Sequence, residues 1–203
     1  MSSTKSKPKK LGIVLFPGFE TLDVFGPVEM WGFIDDYEVI MVSEKGGLVR
    51  SSQGHDTLSR YSFADAPQLE ILMIPGGQGT RREVDSAAML GFLREQDRGT
   101  EWTTSVCTGS AVLAKAGLLK NRKATSNKLA WKWATSQSPD VDWQPHARWV
   151  VDGKYVTSSG VSAGTDMALG LIEKIHGRER AQFIARSAEY IWNDSPGNDP
   201  YAV

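Results

Sequence analysis

Four short apolar runs punctuate the chain: Leu11–Phe16 (LGIVLF), Tyr37–Ser43 (YEVIMVS), Leu69–Ile74 (LEILMI) and Trp102–Val106 (WTTSV). Runs this short and this continuously apolar predict strands buried on both faces, as in a parallel sheet covered by helices. Each is bounded by a breaker or a turn, namely Pro17-Gly18, Gly46-Gly47, Pro75-Gly76-Gly77 and Thr108-Gly109. Between them the pattern changes to helical spacing near Thr21–Gly32, Asp85–Arg98 and Gly109–Ala116, with Gly117 as the last stop. Met167, Leu171 and Ile175 recur at i+4 in Ser162–His176, a helix halted by Gly177, and another helix is predicted over Glu179–Trp192. Asp152-Gly153, between two β-prone runs in Arg148–Val156, signals an antiparallel hairpin. The order βαβα with this small addition predicts a three-layer α/β/α sandwich around a mostly parallel sheet. The expected organisation is a flexible leader over 1–10, one α/β domain over 11–193 and a polar tail over 194–203.

Composition narrows the function more by exclusion than by suggestion. The 203 residues carry 23 Lys and Arg against 24 Asp and Glu, a net charge of −1, so no basic field draws the chain to nucleic acid or membrane. A single cysteine forms no internal disulfide, and no Cys/His cluster has zinc-ligand spacing. The basic leader and the short run at Leu11–Phe16 do not read as a secretory signal, and no stretch approaches the roughly 20 apolar residues of a membrane span. A cytoplasmic enzyme or binding domain acting on a small molecule is the expectation.

Ser105-Val106-Cys107-Thr108-Gly109 carries the most chemical information. A strand predicted to end at Val106 and a helix starting after Thr108 put Cys107 on the sharp turn of a nucleophile elbow. The positive end of the helix dipole would lower the thiol pKa there, so a thiolate nucleophile outweighs the alternative of a small buried hydrophobe. Pro75-Gly76-Gly77-Gln78-Gly79 ends another strand, and its N–H groups at Gly76, Gly77 and Gln78 could converge on developing negative charge. It could equally be a tight strand-to-helix loop. Asp23, in Leu22-Asp23-Val24-Phe25-Gly26-Pro27, sits among apolar residues that would raise its pKa and suit it to proton transfer, with Glu20 as competing carboxylate. Neither His55, His146 nor His176 can be assigned to Cys107, and Trp131 and Trp133 could line a pocket or the core.

Together LFPGFETLDVFGPVE, MIPGGQG and TSVCTGSAVLAKAGLL resemble the ThiJ/PfpI superfamily, the class I glutamine amidotransferase-like proteins. ATSNKLAWKWA and YVTSSGVSAGTDMALGLIEKIHG extend the resemblance over nearly the whole chain after the leader, and the LDxxGP loop with an S-V-C-T-G elbow resembles the isonitrile hydratase branch. The resemblance implies a homodimeric flavodoxin-like sandwich that needs no metal or organic cofactor. It also implies Cys107 as nucleophile, Asp23 as its acidic partner and Thr108 beside them, acting to convert isonitriles into N-formamides. Glyoxalase-like or deglycase-like action on α-oxoaldehydes, or a cysteine redox sensor, are the other activities the superfamily suggests. A regulator is the weakest, since no helix-turn-helix pattern follows the domain. Many relatives carry a His where this sequence has Asn127, so a Cys–His dyad is not expected.

Overall fold

The computed structural model describes residues 7–203. The chain runs β1 (Lys9–Val14), α1 (Thr21–Trp31), β2 (Tyr37–Ser43), β3 (Gly47–Arg50), β4 (Asp56–Ser59), β5 (Tyr61–Ser62), β6 (Ile71–Ile74), α2 (Thr80–Glu83) and α3 (Ala87–Asp97). It continues through β7 (Trp102–Ser105), α4 (Gly109–Lys115), β8 (Lys123–Ala124), α5 (Trp131–Thr135), β9 (Asp142–Trp143), β10 (Trp149–Asp152), β11 (Tyr155–Ser158), α6 (Ala163–His176) and α7 (Arg178–Ser187). The main sheet has the order β10-β11-β7-β6-β1-β2-β5, parallel throughout except for the antiparallel β10–β11 edge. Helices α1, α6 and α7 pack together as one layer, and α2, α3 and α5 pack around α4 as the other. This is the three-layer sandwich that the alternating pattern predicts.

The apolar runs explain the sheet's interior position. All four residues of β6 are buried, as are Leu11, Ile13 and Val14 of β1, so the central strands meet helices on both faces. The β10–β11 hairpin turns through Gly153 and Lys154, closed by the Asp152–Tyr155 pair, one residue later than the Asp152-Gly153 signal suggests. Gly153 takes φ +60 as the first residue of that two-residue turn, a left-handed conformation that favours glycine.

Three features depart from the sequence expectation. Strand β1 already includes Lys9 and Lys10, which pair with Glu101 and Glu38 and so belong to the sheet rather than to a leader; residues 1–6 lie outside the described part. Helix α7 stops at Ser187, short of Trp192, because Glu189 adopts φ +50 and Tyr190 turns in to donate its hydroxyl to Asp166. The segment read as a polar tail folds back. Asp199 is buried 3.8 Å from Lys128 and 4.0 Å from Arg148, and Arg148 pairs in turn with Asp166. Among the described residues no helix is long and apolar enough to cross a membrane.

Candidate active site

The carboxyl ends of the adjacent strands β11, β7, β6 and β1 deliver four loops to one edge of the sheet, the position where parallel α/β folds bind ligands. Cys107 lies on the loop after β7, with φ +57. A non-glycine residue in that region is strained by about 1–3 kcal/mol and persists only where its surroundings over-determine it. Here they do. The Cys107 N–H donates to Ser159 O at 3.1 Å, and its carbonyl accepts from the Ser110 and Ser126 hydroxyls, each at 3.1 Å.

Gly76, at the end of β6, presses directly against this turn. A Cβ there would lie 2.6 Å from Thr108 N and 2.8 Å from Cys107 Cβ, so no other residue lets the two loops close on each other. Its N–H donates at 2.8 Å to Oδ2 of Asp23, which reaches across from the first turn of α1. Asp23 is fully buried, and its Oδ1 meets no nitrogen or oxygen partner among the described residues.

Electrostatics follow from this burial. Desolvation pushes the Asp23 carboxyl up to about 8; the Gly76 N–H pulls it down, nearby Glu20 adds to the rise, and the Cys107 thiol again lowers it. Burial also pushes the Cys107 thiol well above its ordinary value, with the Asp23 charge as second cause, while the Thr108 N–H and the Asn127 and Thr108 side chains pull the other way. The direction is opposite to that expected from the helix dipole alone. Helix α4 has only seven residues, and at a site 6% exposed desolvation outweighs its field. Burial thus shifts both groups toward their neutral forms, thiol and carboxylic acid.

Residues 9–174 match the DJ-1/PfpI family. The chain belongs to that family. It is 34% identical, over 96% of its own length and 86% of the relative's, to a Pseudomonas putida protein named isonitrile hydratase. It is 30% identical to CdhR, an HTH-type transcriptional regulator of Pseudomonas aeruginosa, over 83% of this chain but only 51% of the regulator. Among solved structures, a ThiJ/PfpI family protein from Pseudomonas syringae matches with a TM-score of 0.80 at 28% identity, covering 91% of this chain and 76% of that one. DJ-1beta of Drosophila melanogaster, at 23% identity and a TM-score of 0.79 over 92% of this chain and 100% of that one, shares the flavodoxin-like fold.

In this DJ-1/PfpI chain a cavity of about 310 Å³ opens beside the elbow, lined among others by Cys107, Thr108, Gly77, Gln78, Glu20 and Asn127. Asp23 and Gly76 stand behind it. The glycine loop differs from a ready-made anion hole: the Gly76 N–H is taken by Asp23, and the Gly77 N–H donates to Thr108 Oγ1 at 3.2 Å. Among the described residues only the Gln78 N–H of the three makes no hydrogen bond. Thr108 Oγ1 also accepts from Thr80 Oγ1 at 3.1 Å, tying the elbow to α2. Glu20 lines the same cavity, with both oxygens accepting from Gln53 Nε2 at 2.8 and 2.9 Å.

The three histidines stay away from this cavity; His176 packs edge-on against Tyr37. Asn127 lines the cavity instead, and its Oδ1 accepts from Ala130 N at 2.8 Å. Its Nδ2 fits because residue 160 is glycine; a Cβ there would stand 2.4 Å away. Arg81 and Val161 are among the lining residues that the sequence did not single out, and the latter holds φ +48, a strained conformation for a β-branched side chain. Among the described residues no group of three or more His, Cys, Asp or Glu side chains is placed to hold a metal ion.

Proposed function

We propose that this chain hydrates isonitriles to N-formamides, with Cys107 as nucleophile and Asp23 as its proton carrier. The carrying observation is the fully buried Asp23 carboxyl, raised by burial and set beside the Cys107 thiol, with no histidine among the residues lining the cavity. The isonitrile carbon must gain a nucleophile and a proton on the same atom, and a thiol next to a carboxylic acid supplies both. The 34% identity to a protein named isonitrile hydratase supports the same reading.

In the proposed cycle Sγ of Cys107 attacks the terminal carbon of R–N≡C, Asp23 gives its proton to that carbon, and the thiol proton passes to Asp23. The product is a thioimidate, R–N=CH–S–Cys107. Water then adds to the same carbon, with Asp23 relaying its proton to nitrogen. Collapse expels Cys107 as a thiol and releases R–NH–CHO. Two covalent steps replace one difficult hydration, which is the logic of nucleophilic catalysis. The Gln78 N–H, unengaged and on the cavity wall, steadies charge at the reacting centre.

Turnover of an α-oxoaldehyde would need the carboxyl as a base at neutral pH, and burial works against that. The hydration cycle instead needs the acid form of Asp23. The kcat/KM for cyclohexyl isocyanide is therefore expected to stay level below pH 8 and to fall about tenfold per pH unit above it. A rise in that range would overturn the acid role.

The resemblance to homodimeric relatives is extended here as part of the proposal. Leu129 is fully exposed on the rim of the Cys107 cavity, beside a second cavity of about 610 Å³. A two-fold partner covering that rim would bury it. Light scattering is expected to give twice the chain mass at assay concentration; an active monomer would remove the dimer and leave the site unaltered.

A further inference from the structure

Arg81 follows the glycine loop by four residues and lines the same cavity as Cys107. Its side chain is fixed twice. The guanidinium carbon lies 4.1 Å from the centroid of the Trp133 ring, and Nη1 donates to Gly77 O and Thr80 Oγ1, both at 3.3 Å. A planar cation held over an indole and tied to backbone has already lost most of its rotamer freedom.

Its charge, in contrast, is unspent. Among the described residues no carboxylate lies within 4 Å of Arg81, whereas its neighbour Arg82 pairs with Glu83 at 2.6 Å. Nη1 uses its N–H groups on the loop, so Nε and Nη2 are left without partners among the described residues. These form the side-on edge of the guanidinium, the fork that matches a carboxylate with two parallel hydrogen bonds. Glu20, the acid on the same cavity, is held by Gln53 instead. Asp23 sits behind the wall in its acid form and offers no counter-charge.

We propose that Arg81 is the specificity residue of this site and seats a carboxylate on the substrate's R group. The preferred substrates are then small isonitriles that carry an acid, such as isocyano carboxylates. The isonitrile half of this statement rests on the function proposed above; the carboxylate half rests on Arg81 alone.

The test separates the two. In Cys107→Ala protein, which cannot start the chemistry, calorimetric titration compares isocyanoacetate with uncharged propyl isocyanide. The acid is expected to bind at least about tenfold more tightly, the scale of one charge-assisted bidentate contact. The preference shrinks in high salt and disappears in Cys107→Ala/Arg81→Gln, while Arg81→Lys in that background keeps part of it. Equal preference with and without Arg81, or none in the parent, overturns the proposal. In protein with Cys107 intact, the ratio of kcat/KM for the two isonitriles is expected to fall at least about fivefold on Arg81→Gln. If neither isonitrile is hydrated yet the binding preference depends on Arg81, the hydration reading fails and the carboxylate seat stands.

Discussion

Cys107→Ala protein is expected to make no N-formamide from cyclohexyl isocyanide above background, a loss of at least about 10⁴-fold in kcat, while keeping its fold. The sulfur is the atom that bonds to the substrate carbon, and no second nucleophile replaces it; removing one member of a covalent machinery removes nearly all that the machinery does. The fold survives because alanine deletes only Sγ, at a turn whose backbone is held by Ser159, Ser110 and Ser126. Chromatographic product analysis gives the first result and thermal unfolding the second, with Tm within a few degrees of the parent. Undiminished formamide production would eliminate Cys107 as the nucleophile, and a collapsed Tm would make the elbow cysteine a packing residue.

Asp23→Asn is expected to separate activity from stability. The amide keeps the shape and can still accept from Gly76 N–H, but it moves no proton, so kcat drops by about 100-fold or more. Glu20→Gln, whose carboxylate accepts from Gln53 rather than from the Cys107 elbow, should alter kcat by less than about threefold. The reverse ranking would transfer the proton-carrier role to Glu20. Stability moves the other way. The folded Asp23 holds its proton up to about pH 8, against 3.8 for an unperturbed Asp, so between those values the native state binds more protons than the unfolded chain. Its contribution to stability is thus fully present below about pH 4 and is lost as pH rises through 8. Asparagine carries no such dependence. The Tm of Asp23→Asn relative to the parent should climb from pH 5 to pH 8, a gain on the order of a few kcal/mol. A difference in Tm that stays flat from pH 5 to pH 8 would mean that Asp23 is already ionised in the native protein.

Several of these residues were legible because their geometry is local. The turn at Val106-Cys107-Thr108-Gly109 joins a four-residue strand to a helix that starts two residues after the cysteine, so its place at the sheet edge follows from the run of residues itself. Asp23 was legible as a polar residue set in an apolar segment. The β3–β4 hairpin was not legible. Its opposed Leu48 and Leu58 are both exposed, so no alternation of buried and exposed apolar positions marks it.

By itself the sequence determined the layer order and the elbow that carries Cys107, because apolar runs and glycine turns act over a few positions. Tertiary structure decided everything that depends on which distant groups share one low-dielectric space. Burial raises both the Cys107 thiol and the Asp23 carboxyl, against the depressed thiol that the elbow alone suggests. Gly76, 53 residues from Asp23, gave its N–H to that acid rather than to an anion. Arg81 gained its meaning only when α5 placed Trp133 beneath it. Desolvation and charge pairing are properties of a folded volume, and spacing along the chain does not encode them.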